Sequence, residues 1–410
     1  MAGTLQTLIF APETAKTPSF RHRNLHFPSN RSVLLSRSVS FNHSRSISRP
    51  IRATQPSDQV PGSPKDFNWA KPLSKFAADN FLPLALIGGV TLGLANPSLG
   101  CLADKYHLSK VSTFVIFIIS GLTLRSGEIG AAAEAWPVGI FGLCSILLFT
   151  PCFSKLILQV HLQPQEFVTG VAIFSCMPTT LSSGVALTLL AGGNSALALA
   201  MTVISNLLGI LIVPFSISRF IASGVGVSVP TEQLFRSLVL TLLVPLILGK
   251  VFRESFRGLA EFVDQNRKLF SNISAIFLSL VPWIQVSRSR SLLLMVKPTV
   301  FLVAIGMGIL LHLILLAFNA IAVRSLSAVS GGSQSVFAKK ENASAVVLVA
   351  SQKTLPVMVA VVEQLGGAFG ESGLLVLPCV AAHLIQIIMD SILVNFWPRK
   401  GLSSNNFKVA

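Results

Sequence analysis

Cys176-Met177-Pro178-Thr179-Thr180-Leu181-Ser182-Ser183-Gly184 interrupts an apolar run over 167–190, and Ser351-Gln352-Lys353-Thr354-Leu355-Pro356 interrupts another over 343–365. Both runs are otherwise apolar enough to cross a bilayer. Hydrocarbon tolerates frayed backbone only where protein or a wet cavity satisfies the freed N–H and C=O groups. Two polar, proline-containing breaks at matching places in the two halves of a chain are the sequence pattern of a secondary transporter's binding site.

Working outward, eight more apolar runs cover 81–94, 112–124, 136–158, 196–221, 234–251, 269–286, 299–323 and 374–397. A spanning helix needs about 20 residues, and the first two runs are shorter. The pattern predicts an all-α polytopic membrane protein of about ten transmembrane helices. These divide near Ser223-Gly224-Val225-Gly226 into two inverted five-helix repeats, 81–224 and 225–398, followed by a polar tail over 399–410. The broken helices are the fourth and the ninth. An odd number of spans per half gives the halves opposite orientations, as in many transporters. Composition agrees: 51% of residues are hydrophobic and 12% charged, against roughly 25% charged in a soluble domain.

The net charge of +16 would suit nucleic acid, but its distribution points elsewhere. Residues 1–55 carry eight Lys or Arg against one acidic residue, Glu13, and hold Ser36-Arg37-Ser38 and Ser44-Arg45-Ser46-Ile47-Ser48-Arg49. Arg- and Ser-rich, acid-poor leaders are transit peptides, and the uncharged opening Met1-Ala2-Gly3-Thr4 favours the chloroplast. The alternative is a basic tail for anionic lipid or RNA. The reading is a chloroplast transit peptide over 1–55, with cleavage as late as 66, recognised by the plastid import machinery. A polar lead-in follows over 56–80.

Fifteen Lys and Arg fall on the side of the mature termini and eight on the other. The positive side faces inward, so the expected location is the inner chloroplast envelope with both mature termini in the stroma. Residues 250–270 alternate charges with Leu259, Phe262 and Leu269, which predicts an interfacial helix.

Lys353 is the most expensive residue at membrane depth, since a central cation costs about 2.5–3.5 kcal/mol even on the insertion scale. It is either a fixed positive charge that attracts an anionic substrate or replaces a bound cation, or a lysine that snorkels or pairs with Asp390. Asp390 is that partner or a cap on the last span. Thr202, Ser205 and Asn206 share one helix face, where they could ligate a cation or bond their own backbone. His312, Asn319, His383 and Gln386 read as interhelical hydrogen-bonders. Candidate substrate-binding or coupling residues are Pro178, Thr179, Thr180, Ser182, Lys353, Thr354, Pro356, Asn206 and Asp390. The five cysteines lack metal-ligand spacing. With neither a P-loop nor HExxH, an enzyme, an ATP-driven pump or a resident cofactor has no support; transport would draw on an ion gradient or exchange.

At these residues the chain resembles the bile acid:sodium symporter family, solute carrier family ten. The string Cys176-Met177-Pro178 leading into Ser182-Ser183 carries the likeness. The fuller string from Pro178 to Thr188 is similar to the divergent branch that includes vertebrate member seven, and the leader points to plant envelope members. The likeness covers 81–398. It implies a panel domain and a core domain, broken helices crossing in the core, and movement of a small organic anion with sodium. By position, Ser183, Thr202 and Gln352 match sodium ligands. The family asparagine after Ser183 is Gly184 here, a serine one turn before Thr202 is Ala198, and the glutamate shared by both sodium sites is Leu348. A lysine about 4 Å from a sodium ion would repel it by about 4 kcal/mol at an effective dielectric of 20. The expectation is therefore a sodium/metabolite cotransporter of the envelope in which Lys353 serves as a built-in cation or titrates for proton coupling. The alternatives are the same fold coupled to no ion, and a non-transporting membrane regulator or scaffold. An intramembrane protease is weaker, because Asp390 lacks an aspartate partner.

Overall fold

The computed structural model describes residues 76–78, 80–125 and 135–396. The predicted transit peptide, most of the lead-in and the C-terminal tail lie outside the described residues. Among those residues every regular element is helical, as expected for a chain that must satisfy its backbone within each segment.

The amino-terminal helices are α1 (Phe81–Ala95), α2 (Pro97–Lys105) and α3 (Leu108–Thr123). Asn96 turns the chain through 101° between the first two; its side chain accepts from Ser98 N at 3.2 Å, and Pro97 stands at the helix start, where a missing N–H costs nothing. Next come α4 (Trp136–Ile157), the half-helices α5 (Gln165–Ser175) and α6 (Ser183–Leu190), α7 (Ser195–Val225) and α8 (Thr231–Ser255). The rest are α9 (Arg257–Gln265), α10 (Arg267–Arg288), α11 (Arg290–Met295), α12 (Pro298–Val329), the half-helices α13 (Lys340–Ser351) and α14 (Leu355–Gln364), and α15 (Ser372–Phe396).

Seven segments among the described residues are long and apolar enough to cross a membrane, with α13 and α14 taken together, or eight if α1 and α2 form one span. Each of the ten predicted runs is helical over most of its described length, with 176–182 and 352–354 unwound inside the two broken ones. Length and apolarity do not establish ten spans, because α3 has only 16 residues and α5 and α6 are parted by the unwound stretch 176–182.

Two sets of helix contacts position the site, joined through one hydrophobic core to which both contribute. In one, α10 lies along α1 and α3, and α8 packs on α3. The α3–α8 contact is backbone on backbone: a Cβ on Gly121 would stand 2.1 Å from Leu246 O, and one on Gly249 2.2 Å from Ile118 O. Small residues permit such approach where no hydrophobic force drives helices together. Lys250 and Arg253 of α8 reach the orphan carbonyls at the end of α3, binding Leu124 O and Leu122 O at 2.8 Å each. Arg253 also binds Asp264 at 2.8 Å, and Arg125 approaches the same carboxylate at 3.1 Å. The Arg253 hydrogen bond, reinforced by Arg125, holds the Asp264 carboxyl below the usual aspartate range. The predicted interfacial helix over 250–270 is therefore shorter than expected. Extended backbone at Phe256 and a turn at Asn266 isolate the nine-residue α9, which keeps its outward Phe262.

In the second set, α15 packs on α5, α12 and α14, and α13 on α6, α7 and α12. Gly170 lets α5 touch the α15 backbone, its Cβ position lying 2.1 Å from Leu375 O. The most apolar stretch of α13–α14 is wholly buried, against 28% for α12. The second broken segment thus runs through the protein interior, and its apolar character answers to neighbouring helices.

Candidate functional site

The two breaks meet. Pro178 O accepts from Thr354 N at 3.0 Å, and Thr179 Oγ1 donates to Val349 O at 2.5 Å. Thr180 Oγ1 and Ser183 Oγ both donate to Gln352 Oε1, at 2.5 and 3.0 Å, and Gly184 N donates back to Thr180 Oγ1 at 3.1 Å. Proline at 178 and at 356 removes N–H groups that interrupted helices would otherwise leave unpaired. Each break therefore satisfies the other's backbone, which is what a dry interior demands. Gly184 makes this possible locally: a Cβ there would stand 3.4 Å from Gln352 Oε1 and 3.3 Å from Thr180 Oγ1, so the larger asparagine of the family pattern would crowd the pair.

Lys353 neither snorkels nor pairs with Asp390. It is 1% exposed, and Nζ donates to Thr150 Oγ1 at 2.5 Å, Met177 O at 2.8 Å and Ile146 O at 3.2 Å. Thr150 Oγ1 itself donates to Ile146 O, so it accepts from the lysine. Three ammonium hydrogens thus meet three acceptors, a full complement for NH3⁺. The charge ties the second break to the carbonyl end of α5 and to α4. Pro151 and the π-helical turn at Ser145–Phe149 free carbonyls in α4, and of these features only the proline shows in the sequence.

Asp390 is likewise neither a cap nor a counter-ion to Lys353. It is 0% exposed in mid-helix, where Oδ2 accepts from Gln352 Nε2 at 2.6 Å and Oδ1 lies 2.9 Å from His312 Nε2. His312 Nδ1 faces Ser351 O at 3.1 Å, which can only accept, so Nδ1 carries a hydrogen. The Nε2–Oδ1 contact then needs one more proton, supplied by ring or carboxyl, and the pair is neutral in either form. The remaining predicted interhelical bonders behave as read. Asn319 joins Ser145 to Ser351, His383 Nδ1 lies 3.1 Å from Lys353 O, and Gln386 binds both Lys353 N and O.

Beside the crossing lies a cavity of about 520 Å³, within the usual 300–1,000 Å³ of ligand sites. Thr180, Ser182, Ser183, Thr202, Asn206, Thr354 and Pro356 line its inner end, so the sequence candidates Pro178, Thr179, Lys353, Gln352 and Asp390 stand behind its wall. Three buried oxygens of lining residues lack a partner among the described residues: Thr202 Oγ1, Asn206 Oδ1 and Thr354 Oγ1. Asn206 spends its amide hydrogens on Thr179 O and Thr202 O, at 3.0 and 2.8 Å. Ser205 turns back to Thr202 O and takes no part. Orphaned buried oxygens cost about 1–3 kcal/mol each, a cost relieved when a cation, hydroxyl or amide binds there. Sequence reading missed the outer part of the cavity, where Arg267, Ser271 and Ser274 of α10 lie on its wall; Arg267 flanks an ordinary-looking apolar run that holds the two serines, and only packing sets all three beside the cavity.

Residues 79–399 match the SBF-like CPA transporter family. A protein of Arabidopsis thaliana named "Probable sodium/metabolite cotransporter BASS4, chloroplastic" is 65% identical over 407 residues, covering 91% of this chain and 93% of that protein. The protein of the same name from Oryza sativa subsp. indica is 66% identical over 333 residues, 81% of this chain and 79% of its own. "Sodium/bile acid cotransporter 7" of Xenopus tropicalis is 26% identical over 298 residues, 72% of this chain and 83% of that protein.

Proposed function

The chain belongs to the SBF-like CPA transporter family, and on that premise we propose that it is a sodium-coupled carrier of a small organic anion, with the substrate bound where the broken helices cross. It is a transporter and not an enzyme. The names of the plant relatives and the basic, Ser-rich leader support a chloroplast location reached through the plastid import machinery, and the envelope is the membrane proposed for it; the matched breaks support two inverted repeats, and the excess of Lys and Arg on the side of the mature termini supports placing them in the stroma. The observation that carries the reading is the cavity of about 520 Å³ at the crossing, with the orphaned oxygens of Thr202, Asn206 and Thr354 on its lining residues.

The coupling follows from the charges. Hard cations take oxygen ligands, and carboxylates strengthen their binding. Leu348 removes the carboxylate that the family likeness places in both sodium positions, which weakens both, and beside the second the Lys353 side chain already binds three oxygens. The Lys353 side chain braces the crossing, and a single sodium binds weakly among Ser183, Thr202 and Asn206. Uptake into proteoliposomes under an imposed sodium gradient tests this, with organic anions drawn from an envelope metabolite extract. The expected result is accumulation with a sodium Hill coefficient near one, abolished by Asn206→Leu. A coefficient near two, or accumulation indifferent to sodium, refutes it.

A further inference from the structure

Arg267 opens α10 at the exposed end of the cavity. Among the described residues lining this space it is the one Lys, Arg, Asp or Glu, and no hydrogen bond or ion pair to it occurs there. Its neighbours are engaged: Arg253 and Arg125 hold Asp264, and Lys250 holds Glu254 at 2.7 Å and Leu124 O. Lys353, the other cation near the site, is buried behind the wall with all three hydrogens used, so a ligand cannot touch it.

Ser271 and Ser274 follow Arg267 at the i+4 and i+7 positions, so the guanidinium and two hydroxyls share one face of α10. All three line the cavity, as do Leu82 of α1, Ile116 of α3 and Leu246 of α8. With a rise of about 1.5 Å per residue, the stripe from Arg267 to Ser274 runs about 10 Å towards the crossing. The wall therefore offers one unpaired planar cation, then hydroxyls, an apolar flank, and the polar crossing at its inner end. A guanidinium binds a carboxylate or sulfonate through paired hydrogen bonds, and a wall without carboxylates gives a cation no counter-charge.

We propose that Arg267 is the residue that selects the anionic group of the substrate, holding it near the mouth of the cavity while the rest of the substrate reaches the crossing. This rests on the carrier reading and adds to it the residue that recognises the charge.

The test uses purified full-length protein and a probe set of hexanoate, decanoate, 4-phenylbutyrate and 2-naphthalenesulfonate, each carboxylate paired with its neutral amide. Binding is read as ligand-induced thermal stabilisation, which needs no transport. At least one anion should stabilise the wild type more than its amide does. Arg267→Gln should weaken that anion about tenfold or more while leaving the amide unchanged. Arg267→Lys should fall between, because lysine keeps the charge without the paired geometry. Equal anion affinity in wild type and R267Q overturns the assignment, as does the absence of anion-dependent stabilisation across the set. Proteoliposome uptake is measured on the same preparations. Sodium-driven uptake with no effect of R267Q sinks this inference alone; anion binding through Arg267 without uptake sinks the carrier reading alone.

Discussion

Replacing Lys353 by methionine and by alanine separates its charge from its bulk. Alanine removes three of the four buried methylenes, a loss of about 2–3 kcal/mol at about 0.8 kcal/mol each, increased by any cavity that fails to collapse. Both substitutions orphan Met177 O, whose side-chain donor is Lys353, at about 1–3 kcal/mol. Ile146 O keeps the Thr150 hydroxyl as donor, so it adds little. Against these losses stands relief from burying an ammonium, several kcal/mol per ion. Lys353→Met should therefore melt close to the wild type, and Lys353→Ala about 2–3 kcal/mol below Lys353→Met. If the ammonium does the work of a bound cation, both variants should lose sodium-driven uptake although the methionine form stays folded. Melting curves in detergent and proteoliposome uptake with sodium or pH gradients read the two effects. Unchanged sodium-driven uptake by Lys353→Met would refute the reasoning, and equal melting of the two variants would refute the packing estimate.

Thr180→Val deletes the donor to Gln352 and the acceptor for Gly184 N. It should destabilise by about 2 kcal/mol and reduce uptake, read by melting and transport together. Gly249→Ala drives a Cβ into Ile118 O and should cost about 1–3 kcal/mol, whereas Gly258→Ala, with open space around it, should be neutral or stabilising by thermal melting. The folded-state pKa of Asp264 is depressed, so its contribution is fully present above the ordinary aspartate value of about 3.9 and is lost as pH falls through the lower folded value. Melting temperature should not change on this account between pH 5 and 8, while Asp264→Asn should lower it throughout that range; an Asp264-dependent loss already at pH 6 would contradict the pairing.

Hydropathy made both breaks legible because proline and clustered hydroxyls stand out inside apolar runs. The family likeness added the departures at Gly184, Leu348 and Lys353. What stayed hidden was contact between distant positions. A lysine and an aspartate in neighbouring apolar segments suggest an ion pair, yet Lys353 spends its hydrogens on α4 and α5, and Asp390 faces His312 and Gln352. Carbonyl acceptors leave no trace in a sequence, since every residue has one. Arg267 reads in the sequence only as one of the basic residues flanking the spans, because a residue at a span's edge looks the same whether it faces lipid headgroups or a cavity.

The glycine contact between α3 and α8 constrains how such a molecule can work. With Gly121 and Gly249 each pressed on the other helix's backbone, and Lys250 and Arg253 fastened across the end, neither helix can slide or roll without breaking both fixings. This pair moves as a plate. The freedom needed to show a ligand first to one side of the membrane and then to the other must lie elsewhere, and the cavity is the gap that can take it up, so a disulfide stitched across the cavity should stop turnover, whereas one placed between α3 and α8 should pass unnoticed.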